Sequence, residues 1–279
     1  MSAGYLVNVG CGSVYHPAWV NIDVNPIDPS VRHWDVRRGL PFRDGEADAC
    51  YASHVLEHLT SDAAGQLLAE CHRVLRPGGI IRLVVPDLEA IARHYLQLLE
   101  RADSGESGVE ADYEWIMLEF YDQTVRSSSG GEMIRYLSRI DIPNRSFVES
   151  RIGMEGQASG QHLNMTGPQR FIKRVQSLSA RQMRDKLGWV LVEAVAGLVG
   201  GTDLRNAFRE GMFRNSGEVH KWMYDRYSLK RLLQNSKYAD IKVCAASESR
   251  IANFNTYQLD AVGEGARKPD SLFMEAVKP

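Results

Sequence analysis

The stretch that most constrains this chain runs from Leu6 to Asp23, LVNVGCGSVYHPAWVNID. Tyr5 to Val9 is apolar apart from Asn8 and stops at Gly10-Cys11-Gly12. A buried parallel strand ends this way where its backbone must pass close to a ligand. Gly10 and Gly12 have no Cβ, so the chain can turn sharply and leave room for an adenosine or its tail. Trp19 to Ile22 then offers a second strand closed by Asp23, where a carboxylate can accept hydrogen bonds from both ribose hydroxyls. The stretch predicts a nucleoside cradle at the edge of a parallel α/β sheet.

Asp23 follows Gly12 by only eleven positions, and Pro17 lies between them. Dinucleotide-type folds commonly place about 20 residues and a full helix there. The spacing therefore predicts a loop or single turn over the cofactor, carrying Tyr15, His16 and Trp19.

Asn25 to Pro29 is turn chemistry, and Val31 to Val36 offers a short third strand that includes Asp35. Ala47 to Ser53 forms a fourth strand. Ser61 to Leu75 has apolar residues at helical spacing, and Pro77-Gly78-Gly79 stops it. Ile80 to Val85 reads as a fully buried fifth strand, followed by Asp87, which suits either the N-cap of a helix over Leu88 to Leu99 or a catalytic role at the sheet edge. His54 to His58 spells H-x-x-E-H, the pattern of an inverted zinc-protease helix. Because it directly follows the fourth strand, no metal is assigned to it. Glu57 and His58 are instead expected in the first turn of a helix, where an acid favours the dipole. His54 falls at the carboxyl end of a central strand, the edge where open α/β sheets bind ligands.

Taken together, Gly10 to Gly12, His16 to Trp19, Asn21 to Asp23, Leu40-Pro41-Phe42, His54 to Leu59 and Arg73 to Gly79 resemble the class I S-adenosylmethionine-dependent methyltransferases. The likeness is to a bacterial branch, methyltransferase type 11-like, often linked to glycan biosynthesis, and it covers roughly residues 5 to 90. It implies a Rossmann-like sheet with a mostly helical insertion after the fifth strand. The core would comprise residues 1–100 and 217–279, and residues 101–216 would form an acceptor cap. S-adenosyl-L-methionine is the implied cofactor, held by Gly10, Cys11, Gly12, Asp23, Val24, Asp35, Val36, Ser53 and His54, with Asp35 reading the adenine amino group.

In the insertion, Arg101 to Gly108 is a polar linker, Tyr113 to Arg126 an amphipathic helix, and Glu132 to Arg139 another helical stretch. Tyr121, Gln123 and Arg126 suit hydrogen bonding to a polyhydroxylated acceptor. The basic run from Arg170 to Lys186 leads into Gly188 to Gly201, whose single charge is Glu193. This apolar run is too short to span a bilayer. It fits peripheral contact with an anionic membrane, a homo-oligomer interface or, the favoured expectation, burial inside the cap. Tyr227 to Leu233 reads as a helix capped by Ser228, and Ile241 to Ala246 and Leu272 to Val277 as closing antiparallel strands. The segment His220 to Leu229 is expected to return His220, Trp222 and Tyr224 to the site.

A sugar hydroxyl is barely ionised at neutral pH, so a base at the sheet edge would help its methylation. Histidine suits that task; His54 is the first candidate, Asp87 and His220 the next. The expected acceptor is a sugar hydroxyl of a glycan or glycolipid, with a small natural product as the alternative acceptor. A non-catalytic methyltransferase-fold binding module and a nicotinamide-dependent reductase are the competing classes. The reductase is weakened by the missing third glycine, and the binding module by intact Gly10, Gly12, Asp23 and Asp35. No N/D-P-P-Y/F segment follows the fourth strand, and a net charge of -2 over 279 residues gives no drive toward nucleic acid. Four scattered cysteines suggest reduced, buried thiols. The first strand begins almost at once, without an export signal, so the cytoplasm is the expected location.

Overall fold

The computed structural model describes residues 4–153, 180–263 and 265–279. Seven strands pair in the order β3-β2-β1-β4-β5-β9-β6. These are β1 (Tyr5–Val9), β2 (Val20–Asp23), β3 (Arg32–His33), β4 (Ala47–Ser53), β5 (Leu75–Pro86), β6 (Ala239–Cys244) and β9 (Ser271–Val277). The first five run parallel, while β9 is antiparallel to both β5 and β6. The sheet is thus a Rossmann-like α/β sheet with an antiparallel closing pair, as expected. β7 (Ala261–Val262) and β8 (Gly265–Ala266) make a separate small ribbon.

The short crossover before β2 is made of turns, as its length requires. A buried amide pair knits it to the sheet: Asn8 Nδ2 donates to Asn21 Oδ1 (3.0 Å) and to the Val14 carbonyl (3.1 Å). Asn21 Nδ2 in turn donates to the carbonyls of His16 and Trp19, both at 2.9 Å. The one polar residue of β1 therefore holds the glycine turn in place, since a buried amide is stable only when paired.

One face of the sheet is closed by aliphatic packing. Helix α1 (Ser61–Val74), capped by Thr60 Oγ1 on the Ala63 amide, buries Leu67, Leu68, Cys71 and Val74 against Val7, Val9, Ile81 and Leu83. The other face holds an ion network inside an aromatic cluster. Arg82, wholly buried on β5, donates to Asp260 (2.6 Å) and Glu275 (2.9 Å) and lies 4.6 Å over the Phe254 ring. The fifth strand is therefore buried but not continuously apolar, and Arg82 ties it to carbonyls of Ala245, Ala246 and Glu248.

After α2 (Leu88–Asp103) come α3 (Glu110–Val125), α4 (Gly131–Leu137) and α5 (Arg145–Ile152), a helical insertion. Ile91 and Leu98 of α2 pack with Val109 and Ile116. Arg151 reaches across to the buried Glu119 at 2.7 Å. Helix α6 (Ala180–Arg214) is broken at Gly201, where φ is 66°. The basic stretch 170–186 lies outside the described residues and side chains. Burial of the apolar run is not what the fold does with it: Leu198 and Val199 are 86% and 79% exposed, and Trp189 to Val192 are exposed too. No helix among the described residues is long and apolar enough to cross a membrane.

The closing segment begins with α7 (Arg226–Asn235). Its cap is Asp225, which accepts from the amides of Tyr227 and Ser228; Ser228 Oγ accepts from the Asp225 amide in return. Ser228 is thus the reciprocal partner at N3 rather than the expected cap.

Candidate functional site

The carboxyl ends of β1, β2, β4 and β5 meet three adjoining cavities, of about 280, 490 and 530 Å³. His54 and His58 line all three. Gly10 separates the two that flank the glycine turn.

The 490 Å³ cavity has Asp23, Val24, Asp35 and Val36 on its wall, with Trp34, Arg37 and Asn25. Asp23 Oδ2 accepts from the Gly12 amide at 2.8 Å and Oδ1 from the Asn25 amide at 2.7 Å. The carboxylate so fixes both the turn and its own orientation, and retains lone pairs for a further donor. Asp35 accepts a forked pair of bonds from Arg37 (2.9 and 2.8 Å). That guanidinium holds its carboxyl below the usual range despite partial burial.

The 280 Å³ cavity takes Cys11, Gly12 and Ser53, together with Asn8, Tyr51, Arg267 and Lys268. Gly10 and Gly12 both have positive φ, 65° and 53°, and a Cβ at Gly10 would come within 2.6 Å of Val55. A side chain at either position is strained, so the turn needs glycine. Burial first, then the Asp23 charge, pushes the Cys11 thiol up to about 12. It is no thiolate nucleophile at neutral pH.

The 530 Å³ cavity is walled by Gln123, Arg126 and Met133 of the insertion, by Ser216, Gly217, Glu218 and His220, and by Lys268 and Asp270. These segments are stitched by backbone bonds. The His220 amide donates to the Gln123 carbonyl (2.8 Å), and the amides of Lys221 and Trp222 donate to the Glu57 carbonyl (2.6 and 3.2 Å). Arg126 Nη2 donates to the Glu218 carbonyl (2.9 Å), and Glu218 Oε1 accepts from the Gly130 amide (2.8 Å).

His54 sits at the junction. It has φ 54°, a left-handed conformation that histidine tolerates better than most residues, and its amide donates to the Val84 carbonyl (2.9 Å). Its Nδ1 lies 3.1 Å from Glu57 Oε1, and its Nε2 lies 3.0 Å from Ser271 Oγ. Leu56 to His58 is a single 3-10 turn, so the expected helix with Glu57 and His58 in its first turn does not form there; α1 starts only at Ser61. Glu57 is wholly buried. Burial opposes its charge, but His54, then His220 and His58, hold its carboxyl down to about 2. Burial depresses His220 to about 3 and also lowers His58, leaving both neutral imidazoles.

All nine residues expected at the cofactor therefore line these cavities, as do Gln123, Arg126 and His220. Asp87 does not: its Oδ1 caps α2 through the Ala90 amide at 3.1 Å, which is the capping role weighed beside catalysis. Tyr121 and Trp222 are about half exposed, and Tyr224 is buried, its hydroxyl pushed up to about 12 by burial and then by Glu57. None of the three lines a described cavity. Sequence reasoning missed the roles of Glu57 and His58, whose spacing suggested an ordinary helix start. It also missed Arg267, Lys268 and Asp270, which no motif marks.

Residues 18–83 match the family model described as Methyltransferase domain. The match runs from just before β2 into β5 and indicates S-adenosylmethionine as the cofactor. It supports an S-adenosylmethionine-dependent methyltransferase. Among curated proteins, an uncharacterized 37.1 kDa protein of a Streptomyces fradiae transposon is 41% identical over 59 residues, 21% of this chain. The chain spans 16% of that relative's length. A Thermotoga maritima structure described as an S-adenosylmethionine-dependent methyltransferase, possible histamine N-methyltransferase, is 11% identical. It is matched over 100% of this chain and 84% of its own, with a TM-score of 0.37. An S-adenosylmethionine-dependent methyltransferase from Archaeoglobus fulgidus is also 11% identical, over 99% and 87%, with a TM-score of 0.38.

Proposed function

We propose that this chain transfers a methyl group from S-adenosylmethionine to a hydroxyl of a polyhydroxylated acceptor, a sugar of a glycan or glycolipid. The observation that carries the reading is His54, paired through Nδ1 with the buried Glu57 and exposed through its ring to all three cavities.

The residues present fit the cofactor. The Gly10–Gly12 turn leaves open space beside Gly12, Asp23 and Asp35 offer carboxylates to ribose and adenine, and Arg267 and Lys268 line the opposite end. Arg267 and Lys268 suit an amino-acid carboxylate. When bound, S-adenosylmethionine supplies an electrophilic methyl group on a sulfonium.

The chain's own work is alignment, exclusion of water and handling of one proton. With its Nδ1–H turned toward Glu57 Oε1, 3.1 Å away, the His54 ring leaves Nε2 with its lone pair. Nε2 then takes the proton of the acceptor hydroxyl as that oxygen gains its methyl group. Ser271 Oγ stands 3.0 Å from Nε2 and yields that lone pair to the acceptor hydroxyl when the acceptor binds. The acceptor occupies the 530 Å³ cavity, whose amide, carboxylate and cationic groups match hydroxyls better than an apolar ring. The helical insertion acts as its cap, contributing Gln123 and Arg126.

Incubating the protein with methyl-labelled cofactor and a panel of cell-envelope sugars tests this by mass spectrometry. Label in a sugar ether supports the reading. Label only in amines or carbon positions, or none with cofactor bound, contradicts it.

A further inference from the structure

The proton-transfer scheme uses one oxygen of Glu57 and neither His58 nor Nδ1 of His220. The H-x-x-E-H pattern suggested His54 and His58 on one helix face, but the left-handed turn at His54 and the 3-10 turn after it remove that face. The imidazoles that meet are His58 and His220, 162 positions apart in sequence, with ring centroids at 4.8 Å and planes crossing at 78°.

One ligand atom each from Glu57, His58 and His220 lies within 4.8 Å of the others. Both carboxylate oxygens of Glu57, His58 Nδ1 and His220 Nδ1 are buried and have no hydrogen-bond partner, the 3.1 Å approach of His54 Nδ1 to Oε1 being an ion-pair contact. Orphaned buried polar atoms of this kind are costly, and in residues whose ligand atoms lie within 4.8 Å of one another they call for a common partner. All can be lone pairs. His58 Nδ1 has no partner, so the tautomer with its proton on Nε2 leaves Nδ1 bare. A lone-pair cluster around a buried carboxylate attracts a cation. Two imidazoles and one carboxylate form the donor set of open, catalytic zinc sites. His54, 3.1 Å from Glu57 Oε1, supplies an outer partner of the kind that orients such ligands. Arg126 faces the same cavity, and Glu218, 4.0 Å from its guanidinium, offsets that charge.

We propose that Glu57 Oε2, His58 Nδ1 and His220 Nδ1 bind one zinc-class divalent cation, with its open coordination position toward the 530 Å³ cavity. Modest side-chain movement closes the three atoms to bonding distance. An oxygen from the cavity, water or an acceptor hydroxyl, completes the shell and has its pKa lowered there. The binding site does not depend on the methyl-transfer reading, and its test contains neither cofactor nor acceptor.

The full chain, stripped with chelator, is titrated with Zn²⁺ by calorimetry and with Co²⁺ by visible absorption. The expected result is one ion per chain and cobalt bands of four- or five-coordinate nitrogen and oxygen ligation, without a sulfur charge-transfer band. His58→Asn and His220→Asn each weaken zinc by at least about 100-fold, more than loss of an outer partner costs. His33→Asn, at an exposed position, leaves it unchanged. Zinc binding that survives the His58→Asn/His220→Asn double variant overturns the site, as does an unmodified protein that binds no zinc because water alone fills the cluster. If the variants fail to fold, the cobalt spectrum of the unmodified chain decides, and a purely octahedral spectrum overturns the proposal. Cofactor titration is a separate measurement, so failure here leaves the methyl-transfer reading standing on its own test.

Discussion

The cofactor wall and the acceptor wall of the sheet edge are built in opposite ways. Seven of the nine residues expected at the cofactor come from Gly10 to Val36, one run of chain whose turn is fixed by near-neighbour bonds such as Gly12 to Asp23 and Asn8 to Asn21, although later segments complete the cavities. The acceptor wall gathers His54 and His58, Gln123 and Arg126, Ser216 to His220, and Lys268 with Asp270, joined by long-range backbone bonds. A contiguous wall keeps its chemistry in a motif. A dispersed wall can change acceptor by altering one segment while the cofactor side stays intact.

The largest expected effect separates the two walls by function. His54→Ala lowers turnover by about 10² to 10⁴, the range for losing a general base, while cofactor affinity stays within a few-fold. Saturation kinetics and calorimetry measure these separately, and a loss confined to cofactor binding would move His54 to the other wall.

Next comes the anchor that carries the last segment to the acceptor wall. Arg82→Met leaves Asp260 and Glu275 buried without their cation, so unfolding should need about 3–5 kcal/mol less. Denaturant titration would show it. A near-neutral result would mean the aromatic cluster alone holds residues 245–270 in place.

Asn8→Ala strands Asn21 Oδ1 in the core and should cost about 1–3 kcal/mol of stability. It should also loosen the glycine turn, raising the cofactor Kd without changing acceptor KM. The smallest effect is expected at Tyr121, half exposed on α3 and off the cavity wall: Tyr121→Ser should shift stability by no more than about 0.5 kcal/mol and leave acceptor KM unchanged. A raised KM would return Tyr121 to the acceptor wall.

The same contrast explains what was legible in the sequence. β1, β2 and β4 were readable because apolar runs end at glycine, Asp23 and His54, and the closing strands because β-branched and aromatic residues recur. The nine residues expected at the cofactor follow from that local order, whereas Arg267 and Lys268, distant in sequence, do not. The acceptor wall was only half legible: Gln123, Arg126 and His220 stand on it, whereas Tyr121 fell on an outer helix face, Trp222 on an exposed loop and Tyr224 in the core. Residue type suggested them, but orientation is set by tertiary packing. Glu57 looked like an ordinary helix start because its partners His54 and His220 meet it only after the sheet assembles. Arg82 was hidden within an apolar run for a similar reason, its carboxylates lying 178 and 193 positions away. The apolar run after Gly188 was expected inside the cap by composition alone, and its exposure shows that composition does not specify what covers a surface.

The account's central claim is that the cofactor wall holds S-adenosylmethionine, with Asp23 at the ribose. Titration calorimetry of S-adenosylmethionine into the unmodified chain and into folded Asp23→Ala tests it most directly. The account predicts saturable binding to the unmodified chain and a loss of about 1.5–3 kcal/mol in the variant, the scale for hydrogen bonds to a charged group. Equal affinity for both proteins, or no binding to the unmodified chain, would contradict it.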